Sequence, residues 1–144
     1  MRFWDSSALV PLICREAQSN RCRVWLREDP SIVVWALAGT EIVSALARRR
    51  RDGAMTAAAF TTAKRRLIRL ETAWNEVANL DSVRARARRL LETHPLRAAD
   101  ALHLGAALLA VEERPHGVVF VTFDRWLADA AEREGFEVLS GTAA

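Results

Sequence analysis

Asp5, Glu41, Asp100 and Asp124 are carboxylates scattered over most of the chain, yet each stands at a passage between elements. Asp5 ends the apolar run Arg2-Phe3-Trp4, and Asp124 ends Val118-Val119-Phe120-Val121-Thr122-Phe123. Glu41 and Asp100 each sit near the start of a long apolar-periodic segment that reads as helix. Acids at strand C-termini and helix starts of an α/β fold converge on one end of the sheet, where such folds bind ligands. Four carboxylates gathered there repel one another unless a cation neutralises them, which points to Mg²⁺ or Mn²⁺ chemistry on a phosphate ester. One or two ions would acidify and orient a water for in-line attack, a pair lying ~3.5–4 Å apart. No nucleophilic side chain is then required. Thr122 and Ser7 are expected to support the acids: Thr122 shares a strand face with Asp124, and Ser7 can hydrogen-bond a nearby carboxylate. Taken singly, each acid also has a structural role open to it. Asp5 and Asp124 can cap the helices that follow, and Glu41 and Asp100 suit the positive end of a helix dipole.

The elements that must position these residues alternate. A strand is expected at 2–5, with Ser6 or Ser7 capping a short helix through Ile13 and Pro11 in its first turn. A helix follows over 17–27, then a β-branched strand Ser31-Ile32-Val33-Val34-Trp35. Thr40 is expected to cap the next helix, which Asp52-Gly53 ends. Thr56 opens another, with Phe60, Leu67, Ile68 and Leu70 as its inner face. Residues 75–80 read as either strand or connector. Asp81 or Ser82 caps a helix closed by His94-Pro95, and a buried Ala/Leu helix covers 98–113. The strand 118–122, a helix over 125–134 stopped by Gly135, and a last strand at 136–139 complete the order. This alternation predicts one domain over residues 1–144, an α/β three-layer sandwich about a mainly parallel twisted sheet.

Size and composition agree. The 144 residues are 51% hydrophobic and 27% charged, a globular balance. Apolar stretches are too short to span a bilayer and no export leader opens the chain, so a cytoplasmic location without membrane attachment is expected. Cys14 and Cys22 lack metal-ligand spacing and are expected to be reduced. The net charge is +3 and nearly all arginine, Lys64 being the sole lysine. Arg48-Arg49-Arg50-Arg51 form a run, which is either a solvated helix face or a phosphate-tracking surface. Rival phosphate chemistries lack their motifs: neither GxxxxGK[ST] nor GxGxxG nor GxSxG occurs, and Ser7 stands where a haloacid-dehalogenase-type phosphatase needs its second Asp.

Four stretches taken in order resemble the PIN domain family, in particular its VapC toxin branch. They are Phe3-Trp4-Asp5-Ser6-Ser7-Ala8-Leu9-Val10, Thr40-Glu41-Ile42-Val43-Ser44-Ala45-Leu46, the run from Leu96 to Ala107 around Asp100, and Val121-Thr122-Phe123-Asp124-Arg125-Trp126-Leu127. The resemblance implies a metal-dependent endoribonuclease, the toxin of a VapBC toxin–antitoxin pair. It would use Mg²⁺ or Mn²⁺, act on RNA (tRNA or rRNA), be held by a VapB-type antitoxin, and form a homodimer. On that resemblance Asp5, Glu41, Asp100 and Asp124 form the catalytic and metal-binding set, with Ser7 and Thr122 supporting. Arg97, three residues before Asp100 at the helix entrance, is a further supporting candidate, either contacting substrate phosphate or, the stronger reading, fixing Asp100 or capping a neighbouring helix. Trp35 stands where many relatives carry a small polar residue, and is expected to alter groove shape. His103 shares a helix face with Asp100 but is expected to be packed rather than a ligand, since hard Mg²⁺ prefers oxygen. Asp129 is a candidate extension of the acidic pocket, with an exposed helix acid the stronger reading. The alternative function is a non-catalytic PIN-like module that only binds RNA or protein.

Overall fold

Three- and four-residue strands, too short to stand alone, form a sheet here because helices cover both of its faces. The computed structural model describes residues 1–141. Its elements run β1 (Arg2–Trp4), α1 (Ser6–Ile13), α2 (Ser19–Glu28), β2 (Ile32–Trp35), α3 (Ala38–Arg51), α4 (Ala57–Glu71) and β3 (Asn75–Val77). Then follow α5 (Leu80–Thr93), α6 (Ala98–Ala110), β4 (Val119–Val121), α7 (Arg125–Glu134) and β5 (Glu137–Leu139). The five strands lie in the order β3-β2-β1-β4-β5, every pairing parallel. The expected three-layer α/β sandwich is therefore what forms, and residues 75–77 are a strand.

Strand residues alternate between two cores. Phe3, Val33, Trp35 and Phe120 point to one face, where α5, α6 and α7 supply Val83, Leu90, Leu104 and Leu127. Phe3 and Phe120 stack there with ring centroids 5.3 Å apart. Trp4, Ile32, Val34 and Val121 point the other way, against Leu9, Ile13, Ile42, Leu46 and Leu67 of α1, α3 and α4. Because β1 is followed by β2 on one side and β4 lies on its other side, the winding reverses between β1 and β4. A crevice opens beyond their C-terminal ends.

Several local expectations are corrected. Asp5, not Ser6 or Ser7, caps α1, and Pro11 lies in the second turn, where it has no N–H to give the carbonyl of Ser7. Helix α3 begins at Ala38 rather than after Thr40 and takes in Gly39. There a Cβ would meet the flexible tip of the exposed Glu71 side chain, Oε2, at 3.3 Å. Ile68 is 63% exposed and leaves the expected inner face of α4, where Phe60, Leu67 and Leu70 do pack against the core and Ala63 joins them. Asn79 caps α5 by accepting from Ser82 N–H. Helix α6 stops at Ala110, because Glu112 and Glu113 turn left-handed and Glu113 N–H closes back on Leu108 O at 2.8 Å. Thr56 caps α4, and Gly135 ends α7 at φ +110°, both as expected. Trp35 is 2% exposed inside the core, so it does not shape the groove. Both cysteines are free and buried, and burial pushes the Cys22 thiol up to about 12.

Candidate active site

Asp5 and Asp124 follow the adjacent parallel strands β1 and β4, and each folds its carboxylate back to cap the next helix. Asp5 accepts from Ala8 N–H and Asp124 Oδ1 from Leu127 N–H at 2.8 Å. Capping and clustering are thus the same act: the geometry that satisfies a helix N-terminus also aims the acid into the crevice. Glu41 and Asp100 reach the crevice from the first turns of α3 and α6. All four acids line one cavity of about 550 Å³.

A hydrogen-bond chain ties the two strand ends together. Ser7 Oγ donates to Asp5 Oδ1 at 2.8 Å and accepts from Phe123 N–H at 2.9 Å. It lies 3.4 Å from Thr122 Oγ1, which accepts from Asp124 N–H at 3.0 Å. The link from Thr122 to Asp124 therefore runs through the backbone of the loop after β4 rather than along a shared strand face. Both hydroxyls fix where the carboxylates point.

The site is short of positive charge. Asp5 is 3% exposed, and burial raises its pKa to about 6 against the opposing pull of His103, Ser7, Thr122 and the Ala8 amide. Burial and then the Asp124 charge raise Asp100, with Arg97 opposing. Arg97 lies at the rim, its Nε 3.7 Å from Asp100 Oδ2 and its Nη2 3.8 Å from Asp124 Oδ2. His103 is fully buried, and its Nε2 is hydrogen-bonded to Glu41 Oε2. Burial opposes an imidazolium there, but the Glu41 bond and the charges of Asp5, Glu41 and Asp100 outweigh it and raise the pKa.

Among the described residues, no three His, Cys, Asp or Glu side chains stand as a group that could hold an ion as placed. Arg97 lies between two of the acids and His103 engages a third. Mg²⁺ does not require a closed cage, because it is commonly bound through one or two carboxylates plus waters and substrate phosphates. An open cavity walled by hard oxygen donors, with Asp5 and Asp100 both raised in pKa chiefly by burial, suits that mode.

The sequence profile of the PIN domain matches residues 2–133. The chain belongs to the PIN domain family. It is similar to Ribonuclease VapC45 and Ribonuclease VapC49 of two Mycobacterium tuberculosis strains, each 29% identical over 136 residues, covering 94% of this chain and 92% of the relative. Among solved structures, its fold resembles PAE2754 from Pyrobaculum aerophilum, with a TM-score of 0.63 and 21% identity over 95% of this chain and 87% of that one. It also resembles M. tuberculosis VapC20, described as a sarcin-ricin loop cleaving toxin. There the TM-score is 0.63 and identity 21%, over 90% of this chain and 95% of that one.

This PIN domain brings together every acid anticipated from the sequence, with Ser7, Thr122 and Arg97 beside them. Asp129 lies outside this cavity and lines a neighbouring one that shares Asp124. Further members of the PIN cavity are Glu16, Ser44, Arg48 and Arg49, the two arginines belonging to the run read above as either a solvated helix face or a phosphate-tracking surface. A signal for three of them was present: Ser44, Arg48 and Arg49 follow Glu41 at i+3, i+7 and i+8, on one helix face. Glu16, in the α1–α2 turn, left no such trace.

Proposed function

We propose that the chain, as one PIN domain over residues 1–144, is a Mg²⁺- or Mn²⁺-dependent endoribonuclease and the toxin of a VapBC-type pair. The observation that carries the reading is the meeting of Asp5, Glu41, Asp100 and Asp124, from four separate elements, in one cavity at the reversal point of a parallel sheet. The names of its VapC relatives support RNA as the substrate and a VapB-type antitoxin as the partner. A structured RNA such as tRNA or rRNA, a homodimer and a cytoplasmic location complete the reading. Among the described residues, no helix is long and apolar enough to cross a membrane.

In this mechanism Asp5, Asp100 and Asp124 would hold the ion, with Glu41 completing the set. A bound Mg²⁺ or Mn²⁺ supplies Lewis acidity toward phosphate oxygens and lowers the pKa of water. The chain's own residues do the rest. Ser7 and Thr122 hold Asp5 and the Asp124 loop in register, and His103 fixes Glu41. Arg97 is free to turn from the two acids to a phosphate oxygen, since its side chain is 86% exposed.

The test is cleavage of total RNA by purified protein with Mg²⁺, with EDTA, and with Asp5→Asn or Asp100→Asn. Loss of at least ~100-fold in rate is expected for each substitution and for chelation, with folding retained. Undiminished cleavage by both variants would overturn the reading. A folded chain that neither cleaves RNA nor takes up Mn²⁺ in calorimetry would leave the non-catalytic binding module instead.

A further inference from the structure

Helix α3 carries more into the cavity than its acid. Glu41, Ser44, Ala45, Arg48 and Arg49 all line the same cavity, following one another at the i, i+3, i+4, i+7, i+8 spacing of one helix face. One side of α3 therefore reads acidic, then small, then basic, along a wall of the crevice. At 1.5 Å rise per residue, Arg48 sits ~10 Å along the axis from Glu41. That spans on the order of two or three phosphates of a strand rising ~3.4 Å per charge, and fewer if the strand is unstacked. The rest of the arginine run is placed differently: Arg50 and Arg51 lie outside the cavity, whereas Arg48, also exposed, lines it. The two roles open to such a run are thus divided within it.

Arg49 already has an anionic partner. Its Nη1 lies 2.7 Å from Glu16 Oε1, reaching across the cavity to the turn between α1 and α2. Arg48 has no such partner among its described contacts, and Ser44 and Ala45 leave the wall between Glu41 and the arginines low. A guanidinium pairs with phosphate oxygens through two parallel N–H donors, which a carboxylate can imitate.

Building on the ribonuclease reading, we infer that Arg48 and Arg49 hold the RNA backbone next to the cleaved linkage, and that Glu16 is the stand-in anion RNA displaces from Arg49. Both arginines are positioning residues, since they meet the strand away from the reacting atoms.

The experiment uses the full chain carrying Asp100→Asn as host, a short fluorescent single-stranded RNA, and anisotropy at several salt concentrations. Kinetics are measured in the chain with Asp100 intact. Arg48→Ala and Arg49→Ala are each expected to weaken RNA binding about 3- to 10-fold and to lower the slope of log K against log[salt] by about 1. KM should rise with kcat within twofold, and Mn²⁺ binding should be unchanged. Arg50→Ala should change RNA affinity less than twofold. Glu16→Gln separates this role from simple bracing of the α1–α2 turn. Freed from its partner, Arg49 should bind RNA about 2- to 5-fold more tightly, whereas a bracing pair would make Glu16→Gln and Arg49→Ala fail in the same direction. Wild-type affinity and salt slope in both arginine variants, equal damage from Arg50→Ala, or weakened binding by Glu16→Gln would each overturn the inference. A host that binds no RNA, beside an Asp100-intact chain that cleaves none, overturns the ribonuclease reading and this inference with it.

Discussion

Asp5 illustrates how a functional side chain costs its own protein stability. A carboxyl whose pKa is higher folded than unfolded binds its proton more tightly in the native state. Its contribution to stability is therefore fully present below its ordinary pKa near 3.8 and is lost as pH rises through about 6. In EDTA the protein should lose about 2–3 kcal/mol between pH 4 and pH 7 from this residue. Asp5→Asn should recover most of that loss at pH 7, since asparagine can still accept from the Ala8 amide, while abolishing cleavage. Chemical denaturation of both proteins at the two pH values decides it, and a destabilised Asp5→Asn in EDTA would show that the charge is already well compensated. At this scale the sequence was informative about which acids meet in the cavity, because types and spacing survive in one dimension. It was silent on Glu16, whose closeness to Arg49 comes from the packing of α1 against α3, which carries the α1–α2 turn towards that helix.

At the scale of elements, caps and close packing aim the site. Asp124 is both the N-cap of α7 and a wall of the cavity, and the two duties can be separated. Asp124→Asn keeps a capping oxygen and should remove activity with little loss of stability, whereas Asp124→Ala should also cost ~1 kcal/mol. Thermal unfolding of the two variants side by side checks this. Helix α6, which delivers Asp100, lies so close to α5 that a Cβ on Gly105 would meet Val83 O at 3.2 Å and Ala87 N at 3.3 Å. Both neighbours are backbone and cannot swing aside. Gly105→Ala should therefore destabilise by about 1–2 kcal/mol, overpacking outweighing the gain of up to ~1 kcal/mol in helix propensity. A stabilised Gly105→Ala would mean that α5 and α6 part without strain. The existence of every helix was legible from apolar periodicity, but the starts of α1, α3 and α5 were not. Neighbouring Ser, Thr, Asn and Asp are near-equivalent caps in sequence, and backbone geometry chooses among them.

For the whole molecule, the net charge of +3 matters less than its placement, since Arg48, Arg49 and Arg97 line the same cavity as the acids at the sheet reversal. A divalent ion that binds the native state alone should stabilise it in proportion to its saturation, by about 2.7 kcal/mol at a hundredfold excess over its Kd. Mn²⁺ should thus raise the unfolding midpoint at pH 7. Asp5→Asn and Asp100→Asn should blunt the shift, and a shift of equal size in both variants would place the ion elsewhere. Light scattering should return twice the chain mass if the proposed homodimer forms.

Alternating apolar runs settled the order of strands and helices, and with it the parallel sheet and the end of the sheet at which its acids had to gather. Those features depend on local periodicity and on chain connectivity, both of which a linear string records. Packing alone established that Asp5 is buried deeply enough to raise its pKa, that His103 engages Glu41, and that Arg48 and Arg49 face the cavity while Arg50 and Arg51 do not. Desolvation and pairing between residues distant in the chain depend on three-dimensional separation, which residue order does not encode.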